Sequence, residues 1–242
     1  MKRRDLIAAA AATGALAGAA GAEAPGDTLY IPQAHRVEDL NLLQDTMDEF
    51  PFVDLVTTSP TLRISHIPVF LDRKAGKYGT LYGHVSRQNP QHEAFEGRST
   101  AAILFHGPHA YISPSWYENP KTVPTWNFAT VHASGKPQSV ADEAALYQML
   151  ATLVAKSEHA YAAGQYKLES IPKEFATPLM RAIVGFRMEI EALEGKFKLG
   201  QERSEGDRTS IVTHLRAAAA EPGPGDYTAR FYEWLQRAPK GR

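Results

Sequence analysis

The chain has 242 residues, 43% hydrophobic and 22% charged, ordinary globular values that exclude a disordered, collagen-like or coiled-coil chain. With no cysteine it is not a disulfide scaffold, a thiol enzyme, a thiolate zinc site or an iron–sulfur protein, so any redox chemistry needs a cofactor. Its 26 basic and 27 acidic residues give a formal charge of −1, which excludes a sequence-wide positive field for nucleic acid or anionic lipid.

The N-terminus departs from the average. Lys2, Arg3 and Arg4 precede an uncharged Ala/Gly/Leu run from Leu6 to Ala22 that ends in Ala20-Gly21-Ala22. A basic head, a mildly apolar stretch and a small-x-small ending have the layout of an export signal, and Arg3-Arg4 resembles the twin-arginine class. The stretch is short and weakly apolar for a membrane span, so no stable span is expected. Residues 1–22 are therefore read as a twin-arginine-type signal and the protein as exported or periplasmic, the alternative being a cytoplasmic protein. Without them, 23 basic residues face 26 acidic ones, a formal −3 on a 220-residue body.

From Tyr30 onward there is no low-complexity linker and no internal repeat. The β-branched runs FVDLVTT and LRISHIPVF, separated by Ser59-Pro60, predict a strand pair, and Thr80 to Val85 a further strand. Asn89 before Pro90 predicts an N-cap and a short helix to about Phe95. Strands are expected at Ala101 to His106, His109 to Ser113 and Thr125 to Ser134, with Gly107-Pro108 and the segment Pro114 to Pro124 as breakers. Ser139 to Asp142 forms a capping-box pattern ahead of Leu146, Met149, Leu150, Leu153 and Val154 at helical spacing. In Ile183 to Glu194, Phe186, Met188, Ile190 and Ala192 alternate with Arg187, Glu189 and Glu191, the period of a strand with one wet face. Ser204 to Asp207 predicts a helix to about Arg216, and Tyr227 to Arg237 a terminal helix. Six or seven strands with a few helices imply a barrel-like β core.

Chemistry must come from nine histidines, the aromatic residues and a few basic ones. Six of the 23 aromatic residues, Phe105, Tyr111, Trp116, Tyr117, Trp126 and Phe128, fall within 24 positions; composition leaves open a flat buried ligand, an aromatic core or a subunit interface. His106 and His109 bracket Gly-Pro, a turn former rather than a helical ligand pair. No H-E-x-x-H is present, so no metal site is expected. There is no G-x-S-x-G elbow, P-loop or dinucleotide glycine fingerprint. A phosphorylated ligand would need side-chain donors, for which Arg63, His66, His84, Ser86, Arg87, Lys196 and Lys198 are candidates beside the alternative of solvated surface charges.

The strings LYIPQAHRVEDL (29–40), SHIPVFLD (65–72), GTLYGHVSRQNPQ (79–91), FHGPHAYISPSWY (105–117), VPTWNFATVHASG (123–135) and IVGFRMEIEALEGKFKLGQ (183–201) resemble, in order, successive blocks of the PaiB-like FMN-binding proteins, often described as negative transcriptional regulators. The resemblance spans about residues 29–216, leaving 217–242 as a helical tail. It implies a mainly β, α+β fold, an FMN-binding split β-barrel with flanking helices, paired as a homodimer with the flavin near the interface. By the same resemblance Arg63, Ser65, His66, His84, Ser86 and Arg87 become phosphate and ribityl candidates, and Asn89 a ligand contact or a helix cap. Trp116, Trp126 and Asn127 become candidates for the ring environment, and Lys196, Lys198 and Gln201 residues that close the site.

Relatives commonly read GKWKLSQN where this chain has Gly195-Lys196-Phe197-Lys198-Leu199-Gly200-Gln201-Glu202, a departure that bears on flavin affinity if the segment touches the ring. The expectation is an exported flavoprotein with a redox or flavin-binding role. The alternative is an FMN-responsive negative transcriptional regulator in the cytoplasm, which the formal −3 and the lack of a helix-turn-helix signature disfavour. No general acid, base or nucleophile stands out, and whether the protein is a flavin-dependent oxidoreductase stays open.

Overall fold

The computed structural model describes residues 28–119, 121–162 and 164–220; the expected signal and the helix at Tyr227 to Arg237 lie outside them. Eight strands and four α-helices are found among the described residues: β1 (Arg36–Val37), α1 (Leu40–Glu49), β2 (Phe52–Thr57), β3 (Arg63–Asp72), β4 (Thr80–Ser86), β5 (Ala101–Ile112), β6 (Thr125–Gly135), β7 (Gln138–Val140), α2 (Glu143–Tyr161), α3 (Lys173–Arg181), β8 (Ile183–Lys198) and α4 (Glu205–Ala220). The strands run in the order β1-β8-β4-β3-β2-β5-β6, and β6 pairs back with β8. Six antiparallel strands thus close into a barrel, with β1 and β7 added along β8.

Two strands change partners midway. The first half of β3 pairs with β2, from Thr57↔Arg63 to Phe52↔Pro68, and its second half with β4, from Val69↔Gly83 to Asp72↔Thr80. Likewise β8 pairs with β4 over Ile183 to Glu189 and with β6 over Ile190 to Lys198. The interior is filled by every second residue of each strand: Val53, Leu55, Val69, Leu71, Leu81, Val85, Ile103, Phe105, Val131, Phe186, Met188 and Ile190 are all buried in one cluster. Each such side chain is worth roughly 1.5–3 kcal/mol of transfer free energy.

The alternation read in β8 holds as far as Ile190 and then slips. A register shift opposite Ser134 and Gly135 inserts an extra residue at Glu191, so Leu193, Gly195 and Phe197 turn inward while half-buried Lys196 and Lys198, with Glu194 buried between strands and the N-terminal segment, take the outer face, and Ala192, expected inside, is exposed. A Cβ on Gly135 would fall well inside contact distance of the Glu189 backbone oxygen. Gly135→Ala is expected to cost about 1–3 kcal/mol in urea unfolding, because a backbone neighbour cannot swing aside as a side chain can.

Several local expectations change. Gly107-Pro108 does not end a strand: β5 runs through it, taking up the irregularity as a shift between His106 and His109. The helix expected after Ser139 starts later, because Gln138–Val140 pairs with β8 and Asp142 is the N-cap, accepting from Ala145 N at 2.7 Å. Ser204 caps α4 as expected, by accepting from Asp207 N at 3.1 Å, but the Asp207 carboxylate accepts from Glu118 N instead of reaching back. Helices α1 and α3 were not apparent from the sequence. Asp39 caps α1 through Asn41 N and Leu42 N, and Leu43 and Met47 carry α1 into the barrel core.

Candidate functional site

Continuing the Val69↔Gly83 register would set Pro68 against His84 and His66 against Ser86. Those pairs do not form: in the described pairings Arg63 to Pro68 belong to β2 and His84 to Ser86 to β8. The barrel is split between β3 and β4, and the two flanks of the split carry Arg63, Ser65 and His66 on one side and His84, Ser86 and Arg87 on the other. The sequence candidates for phosphate and ribityl contacts are therefore the residues on the two sides of one opening.

Asn89 and Ser65 bridge the floor of that opening. Asn89 accepts from Gln91 N at 3.0 Å as the cap of the short 3-10 helix Pro90–Ala94 and donates from Nδ2 to the Ser65 hydroxyl at 2.8 Å. Ser65 in turn donates to the Gln91 side-chain oxygen. Gln91 is 1% exposed, and its Nε2 donates to Leu55 O at 3.0 Å and Arg63 O at 3.2 Å. One side chain thus ties β2, β3 and the helix together. Nothing in the sequence marked Gln91 beyond its place two residues after a capping Asn.

On the two flanks of the split one side-chain nitrogen each is left over: Arg63 Nε and His84 Nδ1 are buried without hydrogen-bond partners. Burial pushes the His84 imidazole below its ordinary value, so it is held neutral. Arg87 is differently employed. Its Nε donates to Arg181 O at 2.7 Å and its Nη2 to Ile183 O at 2.8 Å, tying the end of α3 to the β4 flank. Ser86 is exposed and accepts from Gln88 N.

His66 points to the outer face of the sheet, where it joins Asp54, unremarked in the sequence, and His106, which the sequence offered only beside the Gly-Pro turn. Asp54 of β2 accepts from His66 Nδ1 and, through its other oxygen, from His106 Nε2 at 2.8 Å. A lone carboxylate inside the apolar run FVDLVT was the available signal. Burial acts to raise the Asp54 pKa, but hydrogen bonds and charge from His106 and His66 outweigh it and hold the carboxyl below its usual value.

The outer face continues over β5, β6 and β8. Trp126, 56% exposed, stands edge-on to Tyr111 at 5.8 Å and tilted to His109 at 6.0 Å. Lys196 donates to Tyr30 O at 2.8 Å and lies over the Tyr30 and Phe128 rings; burial and the neighbouring Lys198 lower its pKa. Lys198 donates to the Thr125 hydroxyl. Beneath this surface Asn127 is buried, with Nδ2 lacking a partner.

Two candidates lie elsewhere. Trp116 stacks on His214 of α4 at 5.1 Å, in a satellite cluster with Ala110, Ile112 and Leu215. Gln201 is spent on the turn after β8, accepting from Leu199 N and donating to Ala34 O and Phe197 O. The six aromatic residues from Phe105 to Phe128 accordingly divide among barrel core, satellite cluster and outer face instead of forming one cluster.

Three imidazoles are depressed. Burial lowers His35 against the opposing pull of Glu202, lowers His84 alone, and lowers His132 against Glu194, with His106 adding to the decrease. Folding thus disfavours protons that the unfolded chain takes up below 6.5, so their stabilising contribution is full above 6.5 and declines as pH falls. Asp54 adds the same sign lower down: its contribution is present above 3.8 and is lost as pH falls through the lower folded value. The thermal midpoint is expected to fall between pH 7 and pH 5, with His84→Gln removing part of that slope, and Asp54→Asn is expected to flatten the limb below pH 4.

Comparison with known proteins gives a consistent picture. The family model described as "Putative FMN-binding domain" matches residues 29–192. The Bacillus subtilis (strain 168) protein named protease synthase and sporulation protein PAI 2 is 31% identical over 189 residues, 78% of this chain and 89% of that protein. An uncharacterised protein of Aspergillus fumigatus is 31% identical over 246 aligned positions, 81% of this chain and 94% of the other. Among solved structures, the flavocytochrome Anf3 from Azotobacter vinelandii is similar with a TM-score of 0.51 and 18% identity, over 77% of this chain and 81% of that one. The FAD and heme binding protein from Mycobacterium smegmatis follows at 0.50 and 15%, over 73% and 79%. At those identities the two structures bear on the fold, which they share.

Proposed function

Since the chain belongs to the PaiB-like FMN-binding family, we propose that it is an exported flavoprotein that holds FMN in the split between β3 and β4 as a homodimer. FMN is its cofactor. The observation that carries the location is the pair of buried, unpartnered nitrogens, Arg63 Nε and His84 Nδ1, on the two strands that part there. A phosphate dianion calls for charge-assisted donors and a ribityl chain for hydroxyl and amide partners, and Arg63, His84 and Ser86 supply them along one opening. The residues present fit the group. Bound there, FMN would supply two-electron redox chemistry coupled to proton exchange. The chain would provide the phosphate grip, the frame and the outer face against which the ring lies.

Pairing of two copies is supported by the apolar side chains left on the outer face. Phe52, Ile64, Tyr111 and Trp126 are all exposed there, an arrangement monomeric proteins avoid. Export is supported by the signal-like layout of residues 1–22, while the formal −3 of the remaining body weighs against a DNA-binding role. Purified protein is expected to show a flavin spectrum after incubation with FMN and to elute as a dimer; a colourless protein would refute the cofactor site. A fusion of residues 1–26 to a reporter is expected to reach the periplasm and to be retained when Arg3 and Arg4 are changed to Lys. Cytoplasmic retention of the unaltered fusion, together with a salt-sensitive shift of promoter DNA, would favour the regulator reading instead.

A further inference from the structure

The outer face beside the split holds a hydrogen-bonded row that cofactor binding does not require. His66 on β3, Asp54 on β2 and His106 on β5 occupy adjacent strands, since Asp54 is in register with His66 on one side and with Leu104 on the other. Both carboxylate oxygens are used, one per imidazole. The bond to Asp54 fixes a proton on His66 Nδ1 and turns its Nε2 into the free, reactive nitrogen, on a side chain 65% exposed. The carboxylate is the more sheltered member, at 25% exposure. An imidazole whose one nitrogen is held by a carboxylate and whose other is exposed on the outer face beside the split has the arrangement of an oriented general acid–base group.

We propose that His66 is the proton-transfer group of the flavin cleft and that Asp54 is its positioning residue, with His106 the second imidazole on the same carboxylate. This rests on the assignment of FMN to the split. In the forward direction the Nε2–H bond of protonated His66 breaks as that proton bonds to a basic atom of the molecule held in the cleft. His66 is left neutral with Nδ1–H still on Asp54, and water reaching the cleft returns a proton to Nε2. Asp54 stays ionised throughout. The other charged and titratable groups of this face include His109 and Tyr111 beside Trp126, His132 and Glu194, linked through Thr28, whose hydroxyl lies 3.2 Å from His132 Nδ1 and donates to Glu194 at 2.6 Å, and Lys196 and Lys198 beyond them.

Two measurements test this. In ligand-free protein labelled with 15N-histidine, His66 is expected to carry its neutral-state proton on Nδ1 and to lose that preference in Asp54→Asn; a His66 protonated on Nε2 in the unaltered protein overturns the proposal. In FMN-loaded protein reduced with dithionite, proton uptake followed with a pH indicator is expected to slow at least roughly tenfold in Asp54→Asn and in His66→Gln. Asp54→Glu is expected to restore part of the rate, and the FMN dissociation constant to change little in Asp54→Asn. Equal uptake rates in all four proteins, each binding FMN, overturn the proton-transfer role and leave the cofactor site standing. Failure of the unaltered protein to bind FMN overturns both.

Discussion

Arg63→Gln is expected to weaken FMN binding by roughly 10- to 100-fold while leaving riboflavin binding nearly unchanged. The unaltered chain buries Arg63 Nε with no partner, a costly state that a phosphate oxygen would relieve. Hydrogen bonds to charged groups are worth about 1.5–3 kcal/mol, which gives that range of affinities. Riboflavin lacks the phosphate and has nothing to lose. The ratio of the two dissociation constants, read by fluorescence quenching, is therefore the measurement: a ratio unchanged by the substitution would remove Arg63 from the phosphate site. Because the buried Arg63 Nε is left without a partner in the ligand-free chain, the ligand-free variant is also expected to unfold at no lower urea concentration than the parent.

The second large effect concerns Gln91. Gln91→Ala is expected to lower the unfolding free energy by roughly 2–4 kcal/mol, since the carbonyls of Leu55 and Arg63 lose their donor and the Ser65 hydroxyl its acceptor in a buried setting. The same change frees the start of β3 from the Pro90–Ala94 helix, so FMN affinity is expected to fall with stability. Gln88→Ala, three residues earlier on an exposed turn, serves as the control and is expected to stay within about 0.5 kcal/mol. Urea midpoints for both variants, with unchanged slope, would separate a lost polar knot from general loosening.

Much of the barrel was legible because burial leaves a period-two trace in the sequence. The strand pair around Ser59-Pro60, β4 and β6 stand where their β-branched runs and flanking breakers put them, and most of β8 where its alternation did. What failed has identifiable physics. Gly107-Pro108 looks like a breaker to any local rule, yet cross-strand pairing on both sides of it carries β5 through by a shift in register. Helices α1 and α3 are short, and α1 in particular is held by tertiary contacts of Leu43 and Met47, which local propensity does not report. The site divides the same way. Residue types named Arg63, His66 and His84, but the opening between them is a pairing that does not form, and no single strand records that. Asp54, His106 and Gln91 matter through partners twelve to fifty-two positions away, beyond the reach of pattern reading.

The sharing of β3 and β8 between partners has a mechanical consequence. Each strand is stitched to one neighbour over its first half and to another over its second, so neither half of the barrel can come away while the other stays folded. Hydrogen exchange at the cross-strand bonded amides of these two strands should then require opening of the whole barrel, while the β3 amides that face the split exchange more freely. The split is a rigid slot bounded by a closed hoop, not a pair of jaws, and ligand entry is left to side chains at the rim. A frame of that kind has little conformational entropy left to lose when the slot is filled.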